Sequence, residues 1–391
     1  MAIAQDEPIP LSRIAREWAR MGATGFGGPP THIALLRRLC VDERGWIPAS
    51  EFEDAIATCN LLPGPASTQL AIWCGRRLRG VPGALIAGSC FIGPGLAMIL
   101  ALSAVFLAAH PPLLILGAAA GAGAAVPAVA VHAASGLAPA SWKRIQDGRP
   151  SAEARPSRVR WIGYAVLGAA SAALVGQFLV LTLIACGLLE IAVRAKAAGS
   201  LASVLPMALP VVAASGLGAL AWEAFKVGAL SYGGGFVIIP LMQHDAVHAY
   251  HWMTNAQFLD AVALGQVTPG PVVLTVGVVG YAAAGYPGAL LAVLIAFGPS
   301  FVFVLLGARY FDLLRANRRV QAFLTGAGPA VIGAIAGSAI PLSLALGHAW
   351  QYALLAAAAG WLFVARRGIV SALLLAAGIG AVGAWAGLPV S

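Results

Sequence analysis

Long stretches of this chain carry no charged side chain. No Asp, Glu, Lys or Arg lies between Arg79 and Lys143, between Asp260 and Arg309, between Arg319 and Arg366, or after Arg367. A helix that crosses a bilayer needs about 20 consecutive apolar residues, and each gap holds one or two such runs. Across the 391 residues, 60% are apolar and 10% charged, against ~45–50% and ~25% in soluble domains. The chain is read as an all-α polytopic membrane protein with about ten full crossings. Water-soluble enzymes and nucleic-acid binders are excluded, despite a formal charge of +9.

That charge comes from 24 basic and 15 acidic residues, gathered in clusters between apolar runs. Such clusters read as cytoplasmic loops under the positive-inside rule, not as a nucleic-acid footprint. Residues 1–13 carry Asp6 and Glu7 and lack an apolar core, so they are not read as a signal peptide. Cys40, Cys59, Cys74, Cys90 and Cys186 show no CxxC or paired spacing. They read as small packing residues.

The chain repeats itself. Residues 46–65 and 252–271 are identical at eight of twenty positions without a gap, including Trp46/Trp252, Phe52/Phe258, Asp54/Asp260, Pro63/Pro269, Gly64/Gly270 and Pro65/Pro271. The same register pairs Glu17 with Glu223, Arg20 with Lys226, and Gly27 and Gly28 with Gly233 and Gly234. One deletion later, residues 80–85 meet 285–290 and Pro94 meets Pro299. Trp, Pro and Asp recurring at fixed intervals mark an internal repeat.

Charge orients the copies. Arg76, Arg77 and Arg79 precede the apolar run 81–107, whereas Arg309, Arg315, Arg318 and Arg319 follow the equivalent run 287–308. By the positive-inside rule the two equivalent helices run in opposite directions, so the halves are read as inverted. The expected organisation is 1–137 as the first repeat core, 138–160 as a basic cytoplasmic linker and 161–200 as the remaining spans of half one. An extra connecting span at 201–219 then leads to 220–391, the inverted second repeat. The N-terminus is placed in the cytoplasm.

Each half holds two segments too interrupted to be ordinary spans. Residues 14–26 break at Gly27, Gly28, Pro29 and Pro30 and resume at Thr31; the partner breaks at Gly233, Gly234 and Gly235. Residues 52–62 break at Pro63, Gly64 and Pro65; the partner breaks at Pro269, Gly270 and Pro271. Gly and Pro end helices, and each arm is too short to cross, so these read as re-entrant or broken helices. Paired interruptions in inverted halves point to a transporter substrate site. After each break a new helix presents unpaired N–H groups and the positive end of its dipole, which suits an oxyanion. Ser67, Thr68, Gln69, Thr268, Thr275, Asn60 and Gln266 lie beside the breaks. Glu17, Arg20, Asp54, Glu223, Lys226 and Asp260 lie on arms leading to them. They are candidates for gating or proton coupling, with local Glu17/Arg20 and Glu223/Lys226 ion pairs as the plainer alternative.

His244, His248 and His251, at helical spacing beside Asp245, resemble a zinc face. Their half-one counterparts are Arg38, Asp42 and Gly45, so a solvated interfacial face is preferred and no metal or cofactor is expected. Residues 31–45 read as an amphipathic interfacial helix.

These motifs carry a resemblance. FGGPPTHIALL (26–36), LLPGPASTQLA (61–71) and RRLRGVPGAL (76–85) are similar to the N-terminal half of the chromate ion transporters; KVGALSYGGGFVIIPLM (226–242) and QVTPGPV (266–272) are similar to their C-terminal half. W-x5-F-x-D-A stands in both halves. The resemblance spans nearly the whole chain in the long two-domain form, and departs from the family at Cys59 and in AAAGY (282–286). It implies a secondary transporter that exports chromate across the bacterial inner membrane and confers resistance, with sulfate as a competitor. Chromate and sulfate are both tetrahedral dianions, so the residues themselves imply an oxyanion carrier and only the resemblance implies chromate. A sulfate importer, an exchanger or a channel would share these features. A membrane-embedded metalloenzyme is the rival of another class, and no HExxH or GxSxG supports it. The lipid bilayer and the oxyanion are the expected partners, and a homodimer is left open.

Overall fold

The computed structural model describes residues 9–59, 62, 64–108, 110–146, 151–174, 178–197, 216–231, 238–307 and 317–390. Among these residues the chain is all-helical. In order the helices are α1 (Leu11–Thr24), α2 (Pro29–Arg37), α3 (Ala49–Cys59), α4 (Ala66–Phe106), α5 (Leu113–Gln146), α6 (Ser151–Leu174) and α7 (Leu179–Ala197). They continue as α8 (Leu217–Leu230), α9 (Ile238–Gln243), α10 (Asn255–Val267), α11 (Thr275–Gly307), α12 (Arg318–Leu344), α13 (Ala349–Ala359) and α14 (Ile369–Trp385).

Among the described residues four segments are long and apolar enough to cross a membrane: Ala66–Phe106, Leu113–Lys143, Val272–Gly307 and Arg318–Leu344. The first and third are bent. In α4, Arg79 and Gly80 leave helical geometry, with Gly80 at φ 61° and ψ −147°. In α11, Ala284 and Gly285 do the same, with Gly285 at φ 62° and ψ −152°. Only glycine reaches that region without strain, which is why the GxPGAL motif sits there twice. Beyond the bend, 81–106 rises about 39 Å, enough to cross; before it, 66–78 rises only about 20 Å.

The repeat in sequence is a repeat in backbone. A π-helical turn at Arg38–Glu43 returns at His244–Ala249. Gly45, at φ 59°, is matched by His251 at φ 53°, and Gly64, at φ 116°, by Gly270 at φ 104°. The His244 and His248 rings stay together, with centroids 6.0 Å apart, while His251 lies beyond the π-turn in left-handed backbone at φ 53°. Among the described residues no group of three His, Cys, Asp or Glu side chains could hold a metal ion.

The chain packs as two units that do not coincide with its two halves. One comprises Met1–Leu107, Ala224–Gly235 and Leu264–Phe311; the other comprises Ala108–Glu223, Phe236–Ala263 and Asp312–Ser391. In the first unit α1 buries Ile14, Trp18, Met21 and Gly22, one face at helical spacing, and Trp18 Nε1 donates to the Ala71 carbonyl at 3.0 Å. Glycines let the helices touch backbone to backbone: a Cβ on Gly22 would lie 2.4 Å from the Phe91 oxygen, and one on its counterpart Gly228 would lie 2.1 Å from the Ala296 oxygen.

In the second unit α12 packs against α6, α5 and α7, and α14 against α5. A buried ion-pair group ties α6 to α7. Glu190 accepts from Arg160 and Arg194 at 2.9 Å each and from the Tyr164 hydroxyl at 3.2 Å. The helices enter the expected 138–160 linker from both sides, α5 running on to Gln146 and α6 starting at Ser151. Most of the expected 201–219 span lies outside the described residues.

Candidate functional site

The breaks form as their residue types require. Gly27 and Gly28 adopt φ 102° and 75°, after which Pro29 and Pro30 open α2, two residues earlier than expected. Thr31 follows in its first turn. Gly64 and Pro65 deliver the chain into α4, whose first turn closes with Thr68 and Gln69 N–H groups on the Pro65 carbonyl, both at 3.0 Å. In half two, Pro269, Gly270 and Pro271 lead into a short 3-10 turn, Val272–Leu274, and then α11. Asn60, Pro63 and Gly233, Gly234 and Gly235 lie outside the described residues.

The three described breaks meet inside the first unit. The Gly270 N–H donates to the Gly25 carbonyl at 3.1 Å, joining the half-two Pro-Gly-Pro to the end of α1. A Cβ on Gly95 would lie 2.3 Å from the Pro269 oxygen. Conversely, a Cβ on Gly64 would lie 2.6 Å from Gln69 Nε2, 3.1 Å from Ser300 Oγ and 3.5 Å from the Gly228 oxygen. Gly95 and Ser300 follow the repeated Pro94 and Pro299, so each half's break rests on the other half's proline-bearing helix.

His32, fully buried in α2, was not singled out by the sequence. Its Nε2 stands 2.9 Å from the Gly25 carbonyl and its Nδ1 3.3 Å from Ser67 Oγ. A carbonyl only accepts, so Nε2 carries the proton, and in the neutral ring Nδ1 accepts from Ser67. One imidazole thus links the Gly-Gly-Pro-Pro break to the first turn of α4, and through Gly25 to Gly270.

The polar inventory is unusual. Thr68 Oγ1, Ser231 Oγ, Gln266 Nε2 and Ser300 Oγ are buried and have no hydrogen-bond partner among the described residues. All four belong to the first unit and flank the breaks. Native structures leave few buried polar atoms unmatched, and each asks for an explanation. By contrast, Thr268 and Thr275 turn their hydroxyls onto the Leu264 and Val272 carbonyls at 2.7 and 2.8 Å.

The ionisable candidates separate. Glu17 faces Arg44 at 3.8 Å instead of Arg20. With exposed Arg20 it lines a small surface cleft of about 120 Å³ shared with Arg38 and Glu43. Asp54 is exposed, whereas its repeat partner Asp260 is buried and has no hydrogen-bond or ion-pair partner among the described residues. A Cβ on Gly123 of α5 would lie 2.7 Å from Asp260 Oδ1. Glu223 is fully buried and Lys226 half-buried. A larger groove of about 840 Å³ runs between Leu85, Ile92, Leu96, Leu290, Phe297 and Phe301; its apolar walls suit acyl chains, not an anion.

The sequence profile of the chromate transporter family matches residues 12–191 and 218–384. The chain belongs to that family. It is 32% identical over 346 residues to a chromate transport protein of Cupriavidus metallidurans, covering 85% of this chain and 82% of that protein. It is 32% identical over 364 residues to a chromate transport protein of Pseudomonas aeruginosa, covering 88% and 84%. A probable chromate transport protein of Synechococcus elongatus is 28% identical over 344 residues, covering 85% and 84%. No solved structure matches. The family and the apolar helices make this a multi-pass membrane transporter.

Proposed function

We propose that the protein is a secondary transporter that exports chromate across the bacterial inner membrane and so confers chromate resistance. Its two halves are read as inverted repeats and its N-terminus as cytoplasmic. The dianion is held at the helix breaks of the first unit, and gating around that site alternates access. The observation that carries this reading is the set of buried donors without a partner among the described residues, Thr68, Ser231, Gln266 and Ser300, all beside breaks in one unit of a transporter-family chain. Hydroxyl and amide donors with nothing to bind are costly, about 1–3 kcal/mol each, unless a substrate supplies the acceptor oxygens. Helix N-termini add dipole stabilisation for a dianion.

The test is chromate accumulation in cells with and without the protein. Export lowers internal chromate and raises the tolerated chromate concentration. Higher internal chromate on expression would overturn the export direction. Neutral donors distinguish chromate poorly from sulfate, since both offer four oxygens at tetrahedral angles. Excess external sulfate is therefore expected to inhibit chromate flux in vesicles.

A further inference from the structure

The two Pro-Gly-Pro breaks share a backbone but not a lining. Ser67, Thr68 and Gln69 follow the first; at the equivalent positions Val273, Leu274 and Thr275 follow the second. Opposite the first break stands Ser300, and opposite the second stands Gly95. Resting on the oxyanion-carrier reading above, we propose that one divalent tetrahedral oxyanion binds per chain, at the Gly64 break, with Thr68, Gln69 and Ser300 as its side-chain donors, and that the Gly270 break holds none.

The geometry at Gly64 supports this. Gln69 Nε2 and Ser300 Oγ both come within 3.1 Å of the point a Gly64 Cβ would occupy, one from α4 and the other from α11. Thr68, Gln69 and Ser300 are each fully buried, and the Thr68 and Ser300 hydroxyls have no partner among the described residues. A buried helical Ser or Thr ordinarily turns back onto a carbonyl one turn earlier. Ser103 does so on Ile99 at 2.6 Å and Ser338 on Ile335 at 2.7 Å. Ser300 does not. Its natural acceptor, the Ala296 carbonyl, is the one α8 packs against at Gly228, and the hydroxyl is left aimed at the break. Behind these donors lies the N-terminus of α4, whose dipole favours a negative charge.

At Gly270 the unpartnered hydroxyls are missing, and the buried Gln266 amide, three residues before Pro269, is the polar group left beside it. The Gly270 N–H is bound by the Gly25 carbonyl. Thr268 and Thr275 are satisfied within their own turns. Leu274 Cδ1 lies 3.3 Å from the Gly270 Cβ position, with the Gly95 Cα at 3.9 Å. At the Cβ position of the second glycine the neighbours are a leucine methyl and backbone, where at the first they are a hydroxyl and an amide. The second break serves as a backbone mirror that braces Gly25 and α1.

The test uses the full-length protein in liposomes, with radiolabelled sulfate and chromate as probes for flux and sulfate for equilibrium binding. Wild type should bind one sulfate per chain. Ser300→Ala and Thr68→Val should each raise the half-saturating concentration about tenfold or more, the loss expected for one hydrogen bond to a charged ligand. Thr68→Ser should restore most of the affinity. Thr268→Val and Thr275→Val should stay within about twofold of wild type. Unfolding midpoints close to wild type for Ser300→Ala and Thr68→Val, with the hydroxyl rescue, separate a binding loss from misfolding. Two sulfates per chain, or larger losses for the Thr268 and Thr275 variants than for Ser300 and Thr68, would overturn the single-site assignment and leave the carrier reading standing. Absence of flux of either anion in wild-type liposomes that bind neither would overturn the carrier reading itself.

Discussion

Gly64 and Gly80 separate two reasons for a glycine. At Gly80 no atom lies within 4 Å of where a Cβ would sit, yet φ is 61°. Gly80→Ala should therefore cost only the backbone strain, about 1–3 kcal/mol, read as a lowered unfolding midpoint with transport retained. Gly64, at φ 116°, adds a contact: the new Cβ would press on Gln69 Nε2 at 2.6 Å. Gly64→Ala should reach the membrane and lose transport, and retained flux would sink the placement of the site there. The repeated carboxylates offer a second contrast. A charged carboxylate in an apolar interior costs several kcal/mol, so any step that wets buried Asp260 would carry a proton, whereas Asp54 is exposed. Asp260→Asn is expected to abolish the pH dependence of flux and Asp54→Asn to keep it; unchanged profiles in both would remove Asp260 from coupling. Sequence pairing had made these two acids equivalent. Only burial, set by α10 against Gly123 of α5, distinguishes them. His32 and Ser300 were illegible for a related reason. Each stands beside a visible motif, His32 just after Gly-Gly-Pro-Pro and Ser300 just after Pro299, but neither has a polar counterpart in the other half. A search for repeated residues passes over both.

At the scale of elements, three of the charge-free runs coincide with the four long apolar helices among the described residues, because burying charge in lipid is so costly that composition must obey it. The π-turns at Arg38–Glu43 and His244–Ala249 carry no such signal, since an extra residue in a turn changes neither composition nor charge. The Glu190 group was equally hidden, its partners Arg160 and Tyr164 lying on the preceding helix. Glu190 is 2% exposed between two arginines. Removing one partner of a buried pair costs about 3–5 kcal/mol because charge is left uncompensated. Glu190→Ala should lower the unfolding midpoint of the purified protein far more than Glu53→Ala, whose ion pair with Arg37 is half exposed. Equal shifts would show that the group contributes no more than a surface pair.

The whole molecule joins two descriptions that the sequence kept apart. Sequence divides the chain into halves; packing divides it into units that each draw on both. All described breaks fall in one unit, and that unit draws on both halves. Whether the halves oppose each other across the bilayer has a direct test. Val81 and Tyr286 are equivalent positions just past the bends of α4 and α11, and they are 53% and 52% exposed. If the repeats are inverted, Val81 lies on the cytoplasmic side with Arg76, Arg77 and Arg79, and Tyr286 lies on the opposite side. The native cysteines would be replaced first; four are buried and Cys90 is half-buried. A membrane-impermeant maleimide added to intact cells should then label Tyr286→Cys and not Val81→Cys, with the pattern reversed in inside-out vesicles. Labelling of both from one side would mean that the basic clusters had been misread and that the two copies run parallel. The matched dihedrals would survive that result, because a parallel repeat keeps its backbone angles too; only the direction of the α4 and α11 outer arms separates the two cases.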